Sequence, residues 1–219
     1  MLLTVTADAS GAREAALRGQ VVVVVDVIDM STTSEAAYQS GALAIYGASP
    51  DRTASPVPTD PARMAKFAAS EAKLRGAGLV VAAEPRTGPE SLQRQTASRV
   101  FSALEEAGAA FQLIGNLGAE VTRVADFQGK VALVVSATGG VAFDAASLVH
   151  PRGARGVLTA TVARAGKLRG RQAALAGVER ALKLADEAGI CVVAASAQSL
   201  EDVLAAQYIY ELFLERIRG

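Results

Sequence analysis

Unbroken apolar runs of five to eight residues recur along the chain, spaced so that a helix fits between most of them. Runs of that length predict strands buried on both faces, and their alternation with helical spacing predicts an α/β fold. The predicted strands cover residues 2–6, 20–27, 42–48, 78–84, 110–116, a run from 130 into a glycine turn at 140, 156–163 and 190–196. The purest is VVVVV at Val21–Val25, the signature of a central strand.

The intervening segments read as helices. Residues 11–18 predict a short helix or turn, and 32–40 a helix stopped by Gly41. Residues 61–75 predict a helix capped by Asp60 with Pro61 at its first position. One amphipathic helix is predicted over 90–107, with Leu92, Ala97, Val100, Phe101 and Leu104 at helical spacing. Further helices are predicted over 141–148, 171–188 and 200–217, the last capped by Ser199. The pattern predicts a three-layer α/β/α domain with a mainly parallel or mixed sheet, spanning 1–219 as one unit or as two lobes sharing a cleft. Residues 49–61 hold four prolines and predict a loop long for a compact domain, either a mobile flap or an insertion.

Composition narrows the chemistry. Hydrophobic residues make up 51% of the chain but aromatics only 5%, so the core must be built from Val, Ala and Leu. Lys plus Arg and Asp plus Glu are 22 each, which argues against nucleic acid and against an anionic membrane as partner. Cys191 is the only cysteine, so no intrachain disulfide or multi-thiolate metal site can form; its place in ICVVAAS predicts core packing. The only histidine, His150, cannot build a His-rich zinc site, and its position before Pro151 predicts a surface role. No signal peptide or membrane-length run is evident, so a cytoplasmic protein is expected. The sequence carries no oligomer signal and excludes no homo-oligomer.

In open α/β sheets, ligands bind beyond the carboxyl ends of the strands. Those ends carry Asp26 and Asp29, Glu84, Asn116, Ser136 to Gly140, and the Ser196–Asp202 segment with its Glu201-Asp202 pair. A set rich in carboxylates and poor in imidazole and thiol suits Mg²⁺ rather than zinc. Asp26 beside the hydroxyl cluster Ser31–Ser34 suits a metal-assisted phosphate or sulfonate site at a helix N-terminus. Thr32 and Glu35 equally fit a capping box, which needs no ligand. Ser136-Ala-Thr-Gly-Gly140 can nest an anion or be a plain strand-to-helix turn. Glu201 and Asp202 can bind a metal or offset a helix dipole. Three familiar constellations are absent. Asp26 and Asp29 are three apart, not two as in haloacid-dehalogenase-type phosphatases; there is no P-loop, and no nucleophile elbow for a Ser-His-Asp triad.

Taken in order, these pieces resemble the 2-phosphosulfolactate phosphatase (ComB) family. Asp26-Val-Ile-Asp-Met-Ser-Thr-Thr-Ser34 resembles its DVLRA(T/S)(T/S)T motif. Ala83-Glu84-Pro85-Arg86 is similar to its glycine-glutamate-arginine triplet, and Phe111 to Gly118 to its strand ending in GNSP, with Gly115 and Asn116 matching. Gly129-Lys130 through Ser136 to Ala142 resembles its GK-strand-TTNGTRA block, and Ala194 to Ala206, with Glu201-Asp202, its closing acidic pair and apolar helix. The order covers nearly the whole chain. Two of the family's arginines are replaced, at Asp29 and Val141; its NGTR asparagine is Thr138; and the stretch from Glu84 to Phe111 is longer than in the family.

The resemblance implies a Mg²⁺-dependent phosphatase acting on a small phosphorylated sulfonate, as in coenzyme M formation. It implies Asp26, Glu84 and Asn116 as catalytic residues and Asp26, Glu201 and Asp202 near the metal. Ser31, Thr32, Thr33, Thr138, Gly139 and Gly140 would hold the phosphate. Two lost guanidiniums weaken bidentate anion recognition, so a different substrate is expected, with Arg86, Arg94, Arg164 or Arg171 as candidate replacements. The competing expectation is a member without catalysis that binds a small anionic ligand or a protein partner.

Overall fold

The computed structural model describes residues 1–218. In order, the elements are β1 Leu3–Ala7, α1 Asp8–Leu17, β2 Val21–Val25, α2 Met30–Gln39, β3 Ala44–Ala48, α3 Pro61–Arg75, β4 Leu79–Ala83, α4 Glu90–Thr96, α5 Ser98–Glu106, β5 Phe111–Gly115, β6 Val131–Val135, α6 Gly139–Val149, β7 Val157–Thr159, α7 Arg171–Leu184, β8 Ile190–Ala194 and α8 Leu200–Arg218. The fold is α/β, and every strand pairing is parallel.

The strands divide between two sheets, ordered β1-β8-β2-β7 and β3-β6-β4-β5. Helices α7 and α8 pack on the outer face of the first sheet and α3 on that of the second, with α5 against α3. Helices α1, α2 and α6 lie between, α2 and α6 touching strands of both. Each sheet is thus the middle of an α/β/α sandwich, and the two sandwiches share a helical layer.

The valine run explains the arrangement. All five side chains of β2 are fully buried. Val22 and Val24 join the larger core, with Ala12, Ala16 and Met30 of the central helices. Val21, Val23 and Val25 join a second core with Ala174 and Val178 of α7 and Ile209 and Phe213 of α8. Successive strand residues face opposite ways, so a central strand needs apolar residues at every position. Each valine so buried contributes about 2 kcal/mol from the water it sheds.

Local chemistry sets the helix ends. The Asp60 carboxylate accepts the Arg63 N–H at 3.1 Å, with Pro61 opening α3. Ser199 Oγ accepts the Asp202 N–H at 3.3 Å at the head of α8. The helix predicted over 90–107 is broken at Ala97 into α4 and α5. A distant residue causes the break. Asp51 accepts from the Ser98 N–H at 2.7 Å, the Ser98 hydroxyl at 2.6 Å and the Arg99 N–H at 3.1 Å, which caps a new helix start.

Two other expectations are corrected. His150 is buried rather than at the surface: its Nε2 meets the Gln20 carbonyl at 3.0 Å and its Nδ1 accepts the Arg152 N–H at 3.0 Å. The Thr32–Glu35 capping box does not form, because α2 begins earlier, at Met30. Thr32 Oγ1 donates to the Val27 carbonyl instead. Glu35 is fully buried, ion-paired with Arg180 and accepting from Thr159 Oγ1 at 2.9 Å.

The proline-rich segment is fastened at both ends by one buried carboxylate. Asp144 of α6 accepts the Ser49 hydroxyl at 2.8 Å and N–H at 3.2 Å on one oxygen, and the Asp60 N–H at 2.8 Å on the other. Among the described residues, no helix is long and apolar enough to cross a membrane.

Candidate active site

Asp26 directly follows β2 and is fully buried. Its backbone is stitched to α2 by one residue. The Asp26 N–H donates to Ser31 Oγ at 2.8 Å, that hydroxyl donates to the Val24 carbonyl at 2.9 Å, and the Ser31 N–H donates back to the Asp26 carbonyl at 3.0 Å. The carboxylate points across to the other sheet. Its Oδ2 accepts the Gly139 N–H at 2.8 Å, the Thr138 hydroxyl at 2.8 Å and the Ser136 hydroxyl at 3.4 Å, all from the turn between β6 and α6. Its Oδ1 is buried without a hydrogen-bond partner. Glycine is required at 139, since a Cβ there would sit 2.6 Å from Asp26 Oδ2.

Two further carboxylates approach. Asp202, 2% exposed, accepts the Val27 N–H on Oδ1 at 2.8 Å, which ties α8 to the turn after β2. Burial, reinforced by the charge of Asp26, pushes its carboxyl from 3.8 up to about 6. Glu84 follows β4 and accepts the Ala137 N–H at 3.1 Å and an Asn116 side-chain N–H at 3.4 Å. Burial also raises the Glu84 carboxyl, with Asp26 adding to the effect. Asn116 is held in turn by the Thr33 hydroxyl on its Oδ1 at 2.5 Å and by its own N–H to the Ala83 carbonyl at 3.0 Å.

A cleft of about 820 Å³ opens beside this cluster, lined by Glu84, Ala137, Asp29, Arg86, Arg52 and Leu92 among others. On the other side of Ala137, a second hollow of about 430 Å³ is lined by Asp8, Thr53, Thr138, Val141 and Gln198 among others. Asp29 and Val141 therefore open on different hollows, Asp29 on the first and Val141 on the second. Asp29 forms an ion pair with Arg86.

Asp26, Glu84, Asn116, Thr138, Gly139 and Asp202 are thus brought together at the carboxyl ends of β2, β4, β5 and β6. The acidic pair is split: Asp202 turns inward and Glu201 is solvent-exposed. The hydroxyls of Ser31, Thr32 and Thr33 do not hold an anion, because each donates inside the protein, to the carbonyls of Val24 and Val27 and to Asn116. The Ser31 and Thr33 amides are likewise taken, by the Asp26 and Asp29 carbonyls. The Thr138–Gly139 turn does embrace an anion, which is the carboxylate of Asp26. Gly140 packs its α-carbon against the Ala48 carbonyl.

Of the four candidate replacement arginines, only Arg86 lines the cleft. Arg94 lies over the rings of Phe101 and Phe111, Arg164 pairs with Glu120 and Arg171 with Glu215. Sequence reasoning missed Arg52 and Asp144. Arg52 gave no signal beyond a charge in a proline-rich loop. Asp144 gave one, as the lone carboxylate in the otherwise apolar stretch GGVAFDAASLV.

Among the described residues, no group of three or more His, Cys, Asp and Glu converges to cage a metal ion. Mg²⁺ commonly takes only one or two carboxylates and completes its shell with water and phosphate oxygens. A buried carboxylate oxygen with no donor, facing no protein partner, fits that demand. The chain matches no family model, no curated protein and no solved structure.

Proposed function

We propose that this chain is a Mg²⁺-assisted phosphomonoesterase that hydrolyses a small phosphorylated acid to the hydroxy acid and phosphate, similar to 2-phosphosulfolactate phosphatase. The observation that carries this reading is Asp26 Oδ1, a fully buried carboxylate oxygen left without a donor while its twin takes three. Leaving such an atom unpaired costs on the order of 1–3 kcal/mol, which a cation would offset.

Asp26 and Asp202 would hold the ion, which would supply charge neutralisation at the phosphoryl oxygens. The chain's own residues do the rest. The Gly139 and Thr138 donors occupy Oδ2 of Asp26 and leave Oδ1 as its one oxygen without a donor. Glu84, raised by burial and positioned by Asn116 and the Ala137 N–H, takes a proton from the attacking water. The water oxygen bonds to phosphorus, the ester P–O bond breaks, and the alcohol oxygen leaves with a proton from solvent.

A second reading, a non-catalytic member that binds an anionic ligand, is favoured by one observation. The hydroxyls of Ser31, Thr32 and Thr33 are committed within the fold. Phosphate release from a panel of phosphorylated acids, with Mg²⁺ or with EDTA, separates the two. Release in Mg²⁺ but not in EDTA supports the phosphatase; no release in either, with calorimetric binding of the same acids, supports the binder.

A further inference from the structure

The main cleft is lined by two guanidiniums, Arg52 and Arg86. They are not equivalent. Arg86 is spent on Asp29 within the same cleft. Among the described residues, Arg52 forms no ion pair. The adjacent Asp51 lines the cleft too, but its carboxylate is turned to the Ser98 and Arg99 donors at the start of α5 and forms no ion pair with Arg52. The Asp51 N–H also donates to the Thr96 carbonyl at 2.9 Å. Asp51, immediately before Arg52, is therefore tied to the α4–α5 junction by both its backbone and its side chain, which anchors the start of the Arg52 side chain on the cleft wall.

The same cleft also has apolar lining, from Pro50, Pro85 and Leu92, beside the polar Gln95, Thr96 and Ser98. Its volume of about 820 Å³ is towards the upper end of the roughly 300–1,000 Å³ of ligand pockets and exceeds what a three-carbon phosphorylated acid fills. A phosphate held beside Asp26 and Glu84 leaves this apolar stretch and its unpaired cation for the remainder of the substrate.

We infer that Arg52 is the specificity-determining residue of the cleft and receives a second anionic group of the substrate. The substrate class is then a phosphate monoester with a carboxylate or sulfonate at the far end of a short apolar segment. This rests on the phosphatase reading for the position of the phosphate. The second anion is recognised by a bidentate guanidinium contact that lysine reproduces only in part.

The test compares the monophosphates of hydroxyhexanoate and of hexanediol, which differ in the charge of the far end. Wild type should prefer the carboxylate ester about tenfold in kcat/KM, a partly exposed charge-assisted contact being worth that order. Arg52→Gln should bring the ratio close to one, and Arg52→Lys should restore part of it. A ratio unchanged in Arg52→Gln overturns the inference. If wild type hydrolyses neither ester, the phosphatase reading fails and Arg52 is judged on calorimetric binding. Weaker binding of the carboxylate ester alone by Arg52→Gln then sustains its role. Equal affinity of the two proteins, or no binding by wild type, overturns it.

Discussion

Asp26 Oδ2 and the Gly139 N–H, 2.8 Å apart, join the end of a strand in one sheet to the head of a helix that leaves the other. This contact sets the distance between the two halves of the candidate site, and it leaves no room for a side chain at 139. In Gly139→Ala the new Cβ would stand 2.6 Å from Asp26 Oδ2 and 2.9 Å from Met30 Cβ. Overpacking of this kind costs about 1–3 kcal/mol. Denaturant melts should show that loss, and phosphate release should fall further than stability does, because Asp26 is displaced.

The Asp29–Arg86 pair puts a neutralised couple, rather than a free guanidinium, in the cleft. The wild-type protein should therefore turn over 2-phosphosulfolactate poorly. Asp29→Asn removes a negative charge from the cleft and releases Arg86. Its kcat/KM on dianionic phosphate esters should rise by roughly tenfold. Stability should change by less than about 1 kcal/mol, since the Arg86 side chain is 45% exposed. Efficient wild-type turnover of 2-phosphosulfolactate would show that recognition has been rebuilt elsewhere.

Asp202 makes the metal-free protein pH-sensitive. Its carboxyl is raised from 3.8 to about 6, so the folded state holds the proton more tightly than the unfolded chain. The stability this contributes is complete below about pH 3.8 and is lost as pH rises through about 6. The loss is at most about 3 kcal/mol at neutral pH. In EDTA, wild type should therefore lose stability relative to Asp202→Asn between pH 4 and pH 7. Parallel stability curves for the two proteins across that window would contradict the assignment. Asparagine can still accept the Val27 N–H, so the comparison isolates the charge.

The sequence made strands and their parallel pairing legible because buried parallel strands must be apolar at every position, as Val21–Val25 and Val131–Val135 are. The division into two sheets was not legible. It depends on Val22 and Val24 meeting different helices from Val21, Val23 and Val25, and nothing in a run of identical residues says which helix faces which. The break at Ala97 depends on Asp51, nearly fifty residues away, and no local pattern encodes a cap from that distance. The capping-box motif at Thr32 and Glu35 misled because its spacing is common, while Glu35 was drawn into the core by Arg180. At the site, the residues at strand ends converged as the fold class requires: Asn116 donates to Glu84, and the turn after β6 donates to Glu84 through Ala137 and to Asp26 through Gly139. The hydroxyls of Ser31 to Thr33 did not remain free, since each is close enough to a backbone or side-chain acceptor to be consumed by the fold itself.

The central claim is that Asp26 Oδ1 is kept open for a cation. Calorimetric titration of Mg²⁺ into the metal-free protein at neutral pH tests it most directly, with wild type beside Asp26→Asn. The account predicts saturable binding with about one ion per chain in wild type and none in the variant, with the circular dichroism of the two proteins the same. Equal binding by both proteins would place any ion elsewhere, and no binding by wild type would contradict the metal-assisted account altogether.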